Sequence, residues 1–222
     1  HTDFKFGFYT ILLSECKCEA YRYGHQYYDF SDGTLLCLTP GESISMKDSD
    51  NTRPSKGWIL AFHPDLICGT VLGANIRDYT FFSYRPEEAL HVSLREKQVI
   101  LELLDKINQE LHRCIDCYSQ KIISKYIELL LDYCERFYER QFITRNEANK
   151  KIIERFDRLL DDHFNTIQSQ SSDLPTIEEC VRVLRLSPAY FNDLLEYETG
   201  KSYKEYLPVS YTHLTLPTIL RV

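Results

Sequence analysis

The stretch from Leu174 to Leu207, LPTIEECVRVLRLSPAYFNDLLEYETGKSYKEYL, writes two short helices with a start signal on each and a tight turn between them. Thr176 and Glu179 form T-x-x-E, in which each side chain satisfies a backbone N–H that the first helical turn leaves open. Ile177, Cys180, Val181 and Leu184 then recur at helical spacing. Ser187 suits the N-cap of the second helix, and Pro188 suits its first position, where a missing N–H costs nothing. Phe191, Leu194 and Leu195 give that helix a buried side, and Gly200 supplies the left-handed residue that closes it. A capped pair this tightly linked predicts a helix-turn-helix, whose first helix braces the second against the major groove.

The detail narrows this further. The run L-S-P-A-Y-F-N-D-L-L, the exit E-T-G-K-S and the later E-Y-L closely resemble the first helix-turn-helix of AraC-type bacterial transcription regulators. The Ser187 cap, Phe191 and Tyr206 match that motif in register. The resemblance implies a dimeric, cytoplasmic bacterial protein that binds double-stranded DNA and responds to a small-molecule effector. Helical spacing turns Ala189, Tyr190, Asn192, Asp193 and Glu196 away from Phe191, Leu194 and Leu195, and with the helix start at Ser187 these are the candidate DNA-binding residues; the resemblance puts base contacts at Ala189, Asn192 and Asp193. Asn192 would pair bidentately with adenine, Ala189 would touch a thymine methyl, and Asp193 would accept from cytosine N4. The helix N-terminus at Ser187 would favour a phosphate.

Two features depart from the family. Many members carry Arg where Asp193 stands and Lys pairs where Glu196 and Tyr197 stand, and Arg185 holds a turn position that is often Gly. The Leu174–Leu207 stretch has six acids against four bases, and the 222-residue chain carries a net charge of −7 with a pI near 5.5. Nucleic-acid binders are usually basic, so weak affinity is expected.

The first ninety residues read as β-rich. Phe6–Leu13, Cys18–Tyr23, Thr34–Leu38 and Trp58–Phe62 are short apolar runs separated by turn chemistry such as Ser31-Asp32-Gly33 and Thr39-Pro40-Gly41. Close-spaced short strands predict a small barrel or jelly roll. The series D-G-T-L-L-C-L-T-P-G-E and G-W-I-L-A-F-H-P-D-L-I is similar to the cupin sensor domain that precedes many AraC-type DNA-binding domains, which bind an effector or serve in dimerisation. A metal-dependent cupin enzyme is disfavoured: His25, His63 and His91 are isolated and no H-x-H occurs. No enzyme activity, cofactor or metal is expected. Tyr21, Tyr23, Tyr27 and Tyr28 suit sugar stacking, but strand propensity alone accounts for them.

Past Leu90 the period changes. Ser93 and Glu96 cap a helix carrying Val99, Ile100, Leu103, Leu104, Ile107 and Leu111. A second helix is expected from Tyr118 to Arg140, and the short link between them predicts an antiparallel hairpin. Its stripe, with Leu129, Leu130 and Leu131 consecutive, is wide enough to cover a barrel or a second subunit. Gln141–Ala148 reads as a hinge, after which Thr144-x-x-Glu147 caps a third helix ending near Phe164.

The expected fold class is therefore α+β. A cupin-like barrel would span 1–92, a dimerising helical hairpin 93–140 and an all-α helix-turn-helix domain 141–207. Residues 208–222 (PVSYTHLTLPTILRV) have no helical period and look like a non-native tail. The family would continue instead into a second helix-turn-helix, so a fragment is expected. No apolar run approaches the ~20 residues that span a bilayer.

Among the eight cysteines, Cys37, Cys134 and Cys180 sit in apolar contexts and predict buried reduced thiols. Cys16-x-Cys18 and Cys114-x-x-Cys117 lack the partners that zinc or thioredoxin-like chemistry needs. A sensor or dimerisation protein with a scaffold-only helix-turn-helix is the main alternative, suggested by the acidic second helix.

Overall fold

The structure, a computed structural model, describes residues 2–5, 7–14, 32–46, 57–167 and 175–208. It divides into two compact units, His1–Thr144 and Arg145–Val222.

The first unit opens with strands β1 (Thr2–Lys5), β2 (Tyr9–Ser14), β3 (Gly33–Leu38), β4 (Ser43–Met46) and β5 (Gly57–Phe62). Helices α1 (Pro64–Ile67) and α2 (Val71–Asn75), three 3-10 turns between Ile76 and Glu88, and strand β6 (Leu90–Val92) follow. The long helices α3 (Leu94–Leu111) and α4 (Ser119–Thr144) complete it. β1 pairs antiparallel with β4, and the other four strands form an antiparallel sheet in the order β5-β2-β3-β6. The register sets Leu13 against Leu35 on one side and Trp58 on the other.

This corrects the barrel expectation. Among the described residues the sheet is open, with β5 and β6 as its edges, and it is not a cupin barrel. Two physical reasons account for the difference. The chain after β5 turns helical at once: the His63 imidazole accepts from the Asp65 N–H, and Pro64 fits the first turn of α1. β6 is also sealed on its outer edge. Gln141 Oε1 accepts from the His91 N–H at 2.8 Å, and Gln141 Nε2 donates to the Ala89 carbonyl at 3.2 Å. Arg140 Nη2 donates to the His91 carbonyl at 2.7 Å and pairs with Glu96 at 2.8 Å. Side chains of α4 thus occupy the groups a neighbouring strand would need.

β3 reads as a continuous apolar run because it is buried on both faces. Leu36 and Leu38 pack with Ala89 and Leu12, while the buried Cys37 and Cys134 thiols act on each other. Burial raises both thiols well above the ordinary range, Cys134 to about 12, so neither ionises at neutral pH. An aromatic ladder ties the sheet to α4. Tyr9 stacks on Phe62 at 5.3 Å, Tyr9 meets Phe82 at 5.3 Å, and Phe81 stacks on Tyr138 at 5.4 Å.

The Ser93–Glu96 capping box starts α3 as expected. α4, however, runs into the predicted hinge as far as Thr144, with Gln141 buried against β6 and Phe142 buried beside it in sequence. The Thr144 hydroxyl donates back to the Gln141 carbonyl instead of opening the next helix. Residues 208–222 fall outside the described residues except Pro208, as do Cys16, Cys18, His25 and the tyrosines from Tyr21 to Tyr28. Among the described residues no helix is long and apolar enough to cross a membrane.

Candidate nucleic-acid interface

The second unit is built from α5 (Asn146–Ile167), α6 (Ile177–Leu184), α7 (Pro188–Thr199) and a short helical segment over residues 203–208. The Thr176–Glu179 box opens α6 with reciprocal bonds of 2.9 and 3.3 Å. The backbone N–H of Thr176 holds the Glu179 carboxyl below its ordinary range. α6 ends at Arg185, which adopts the left-handed conformation (φ 60°, ψ 39°). The N–H groups of Arg185 and Leu186 both donate to the Val181 carbonyl, a glycine-type helix end executed by an arginine. One residue later the Ser187 hydroxyl accepts from the Tyr190 N–H at 3.2 Å and starts α7. The turn between the helices is thus three residues long, and its reversal is fixed by the strained Arg185.

Phe156 of α5 is the centre of the core. It is fully buried and meets Phe191 edge-on at 4.9 Å, with Tyr203 and Tyr206 at 5.9 and 5.8 Å. Leu160, Cys180, Val181, Leu184, Leu195 and Leu207 close around it. α5 therefore braces both helices of the pair, and α7 lies with Phe191, Leu194 and Leu195 inward.

Ser187 caps α7 as the sequence expects, and the outward face differs from that expectation at two positions, Tyr190 and Asn192. Tyr190, expected to face out, is 3% exposed. Ser187 is buried, with its hydroxyl used as the cap. Asn192 is half-buried, and its Oδ1 accepts from the Tyr203 N–H at 3.0 Å, fastening α7 to the segment that follows it. Ala189 and Asp193 are half-buried and Glu196 is exposed. The geometry thus brings Ala189, Asp193 and Glu196 to the accessible side, along with Tyr197. Pro188 has no N–H and that of Tyr190 is taken, so Ala189 is the remaining N–H donor of the first turn for a phosphate.

Comparisons with protein-family models, with curated proteins and with solved structures find no match for this chain. The charge of the site is unevenly placed: Arg182, Arg185 and Lys204 are exposed on α6, the turn and the last segment, whereas α7 itself exposes only the acid Glu196 among its charged side chains.

Tyr203 was not legible as a site residue. Its buried hydroxyl donates to the Pro175 carbonyl at 2.8 Å and lies 3.5 Å from Cys180 Sγ, and burial pushes the phenol well above its usual range. It ties the start of α6 to the end of the motif. The Ser202–Glu205 pair, another serine followed three residues later by an acid, was the signal that a helix begins beside it.

Proposed function

We propose that the chain is a DNA-binding transcription regulator of the AraC type, with no catalytic activity of its own. In this reading α6 and α7 are the reading head and the first unit is the regulatory part. The single observation that carries it is the three-residue turn at Arg185–Ser187, with α5 bracing two capped helices so that one side of α7 stays accessible. Ala189, Asp193 and Glu196 would approach base edges, and Arg182, Arg185 and Lys204 would neutralise phosphates. The accompanying proposals are a small-molecule effector, a cytoplasmic bacterial setting and a homodimer. The exposed Leu129 on α4 and Tyr118 just before it support the dimer.

The acidic α7 favours a second reading, in which the helix pair is a scaffold and binds no DNA. Selection of duplexes from a random library, followed by salt-titrated binding, separates the two. The regulator reading expects one enriched sequence class whose affinity falls as salt rises, with a log–log slope of about −0.9 per phosphate neutralised. No enrichment would establish the scaffold reading. Asn192→Asp and Asn192→Ala refine the result. The aspartate keeps the cap on the Tyr203 N–H while adding an acid to the DNA side, so it should preserve stability and lower affinity. Alanine should cost about 1 kcal/mol of stability.

A further inference from the structure

In the first unit, the loop joining α1 to α2 and the first turns of α4 enclose an open cavity of about 370 Å³. Its walls are fixed. Gln120 Nε2 donates to the carbonyls of Leu66 and Cys68 at 3.0 and 3.4 Å, and Ser124 Oγ donates to Leu66 at 3.4 Å. Gly73 permits the approach, because a Cβ there would run into the Ile67 carbonyl oxygen.

The lining combines two chemistries. Lys121 and Lys125 stand one helical turn apart on α4, and among the described residues neither makes an ion pair. Glu128 is the one acid in the wall. Cys117, one turn before Lys121, and Cys68 from the α1–α2 loop both line the cavity as exposed free thiols. Asp116, next to Cys117, turns its carboxylate to the N–H groups of Tyr118 and Ser119 at the start of α4. Cys114 is also exposed and free but does not line the cavity.

We propose that this cavity binds small anionic disulfides and that Cys117 reacts with them to form a mixed disulfide. The carboxylates of the ligand meet Lys121 and Lys125, which holds its S–S bond at the thiol. The Cys117 thiolate attacks one sulfur, the ligand S–S bond breaks, and the departing thiolate takes up a proton from water. The disulfide is itself the oxidant, and one thiol is released for each mixed disulfide formed. This modification site is independent of whether the second unit binds DNA.

The test uses three disulfides of similar length and different charge: 3,3′-dithiodipropionate, 2-hydroxyethyl disulfide and cystamine. Modification rates at Cys117 and Cys114 are read by mass spectrometry in full-length Cys114→Ser and Cys117→Ser proteins, so that neither thiol can displace a group from the other. The Cys117-to-Cys114 rate ratio should be about tenfold higher with the anionic reagent than with the neutral one, and lower with the cationic one. Lys121→Gln with Lys125→Gln should bring the anionic ratio to the neutral value, and so should 0.5 M salt. A ratio that is the same for all three reagents, or is indifferent to the lysines and to salt, overturns the proposal.

Discussion

Replacing Phe156 by alanine should remove the brace that holds α6 and α7 together. The ring is fully buried and contacts Phe191, Tyr203 and Tyr206, so the substitution opens a cavity lined by three other rings. Phe-to-Ala changes in cores cost about 3–5 kcal/mol, to which the lost edge-on contact with Phe191 contributes roughly 0.5–1.5 kcal/mol. At about 0.05–0.15 kcal/mol per residue, the roughly sixty described residues of this unit correspond to a stability on the order of 3–9 kcal/mol, so this is a large part of what it holds. Amide hydrogen exchange read by mass spectrometry measures the effect locally. Protection across Ile177–Thr199 should fall by roughly two to three and a half orders of magnitude, since each 1.4 kcal/mol is tenfold, with α3 as an internal reference. Phe156→Leu keeps most of the buried area and should cost only about 1–1.5 kcal/mol. Protection in α6 and α7 that changes less than fivefold in the alanine variant would refute the brace and remove the physical basis for a fixed reading head.

Three further expectations concern stability. Arg185→Gly places a residue without a Cβ at φ 60° and should stabilise the second unit by about 1 kcal/mol, raising its Tm by several degrees; a lower Tm by calorimetry would contradict the strain argument. Gln141→Leu leaves the His91 N–H and the Ala89 carbonyl on the edge of β6 without their side-chain partner and should cost roughly 2–4 kcal/mol by urea unfolding; a loss under 0.5 kcal/mol would show that the edge is not sealed this way. Burial, aided by nearby Asp161, raises the Asp157 carboxyl while its bond from the Tyr206 hydroxyl opposes the rise. The folded state then binds more protons than the unfolded one, so stability falls as pH rises from the ordinary carboxylate range near pH 4. Asp157→Asn, which can still accept from Tyr206, should raise Tm at pH 7 and leave it unchanged at pH 3.

What was legible in the chain follows the range of the interactions involved. The boxes at Ser93–Glu96 and Thr176–Glu179, the Ser187 cap and the Gly200 stop are satisfied within a turn of backbone, and the structure forms each of them. Closure of a sheet is a different matter. Runs such as GTLLCL and GWILAF state that a strand forms, but which edge meets which depends on groups more than forty residues away. Gln141 looked like a polar hinge residue because its partner on β6, the His91 N–H, is recognisable only in three dimensions. The same limit explains Thr144, whose spacing to Glu147 matched a capping box while α4 kept it as a helical residue. Periodicity also placed Tyr190 outside α7, since Phe191, Leu194 and Leu195 define a narrow stripe. Burial of Tyr190 as well widens that stripe and narrows the free face.

That narrowing bears on how α7 can recognise anything. Six candidate positions reduce to Ala189, Asp193 and Glu196, because Ser187, Tyr190 and Asn192 are committed to holding the helix in place. The carboxylates of Asp193 and Glu196 can only accept, and in the major groove only cytosine N4 and adenine N6 donate. The acceptors (guanine N7 and O6, adenine N7, thymine O4) and the phosphates repel them, and the thymine methyl offers a carboxylate no hydrogen bond. On the proposed regulator reading, a helix of this kind would gain little general affinity and discriminate mainly by rejection, and its attraction to a duplex would have to come from Arg182, Arg185 and Lys204 beside it. The strained Arg185 then has two roles that pull apart. Glycine there relaxes the turn but removes a cation from the flank that would meet the phosphates, so on the regulator reading the more stable variant should be the weaker binder.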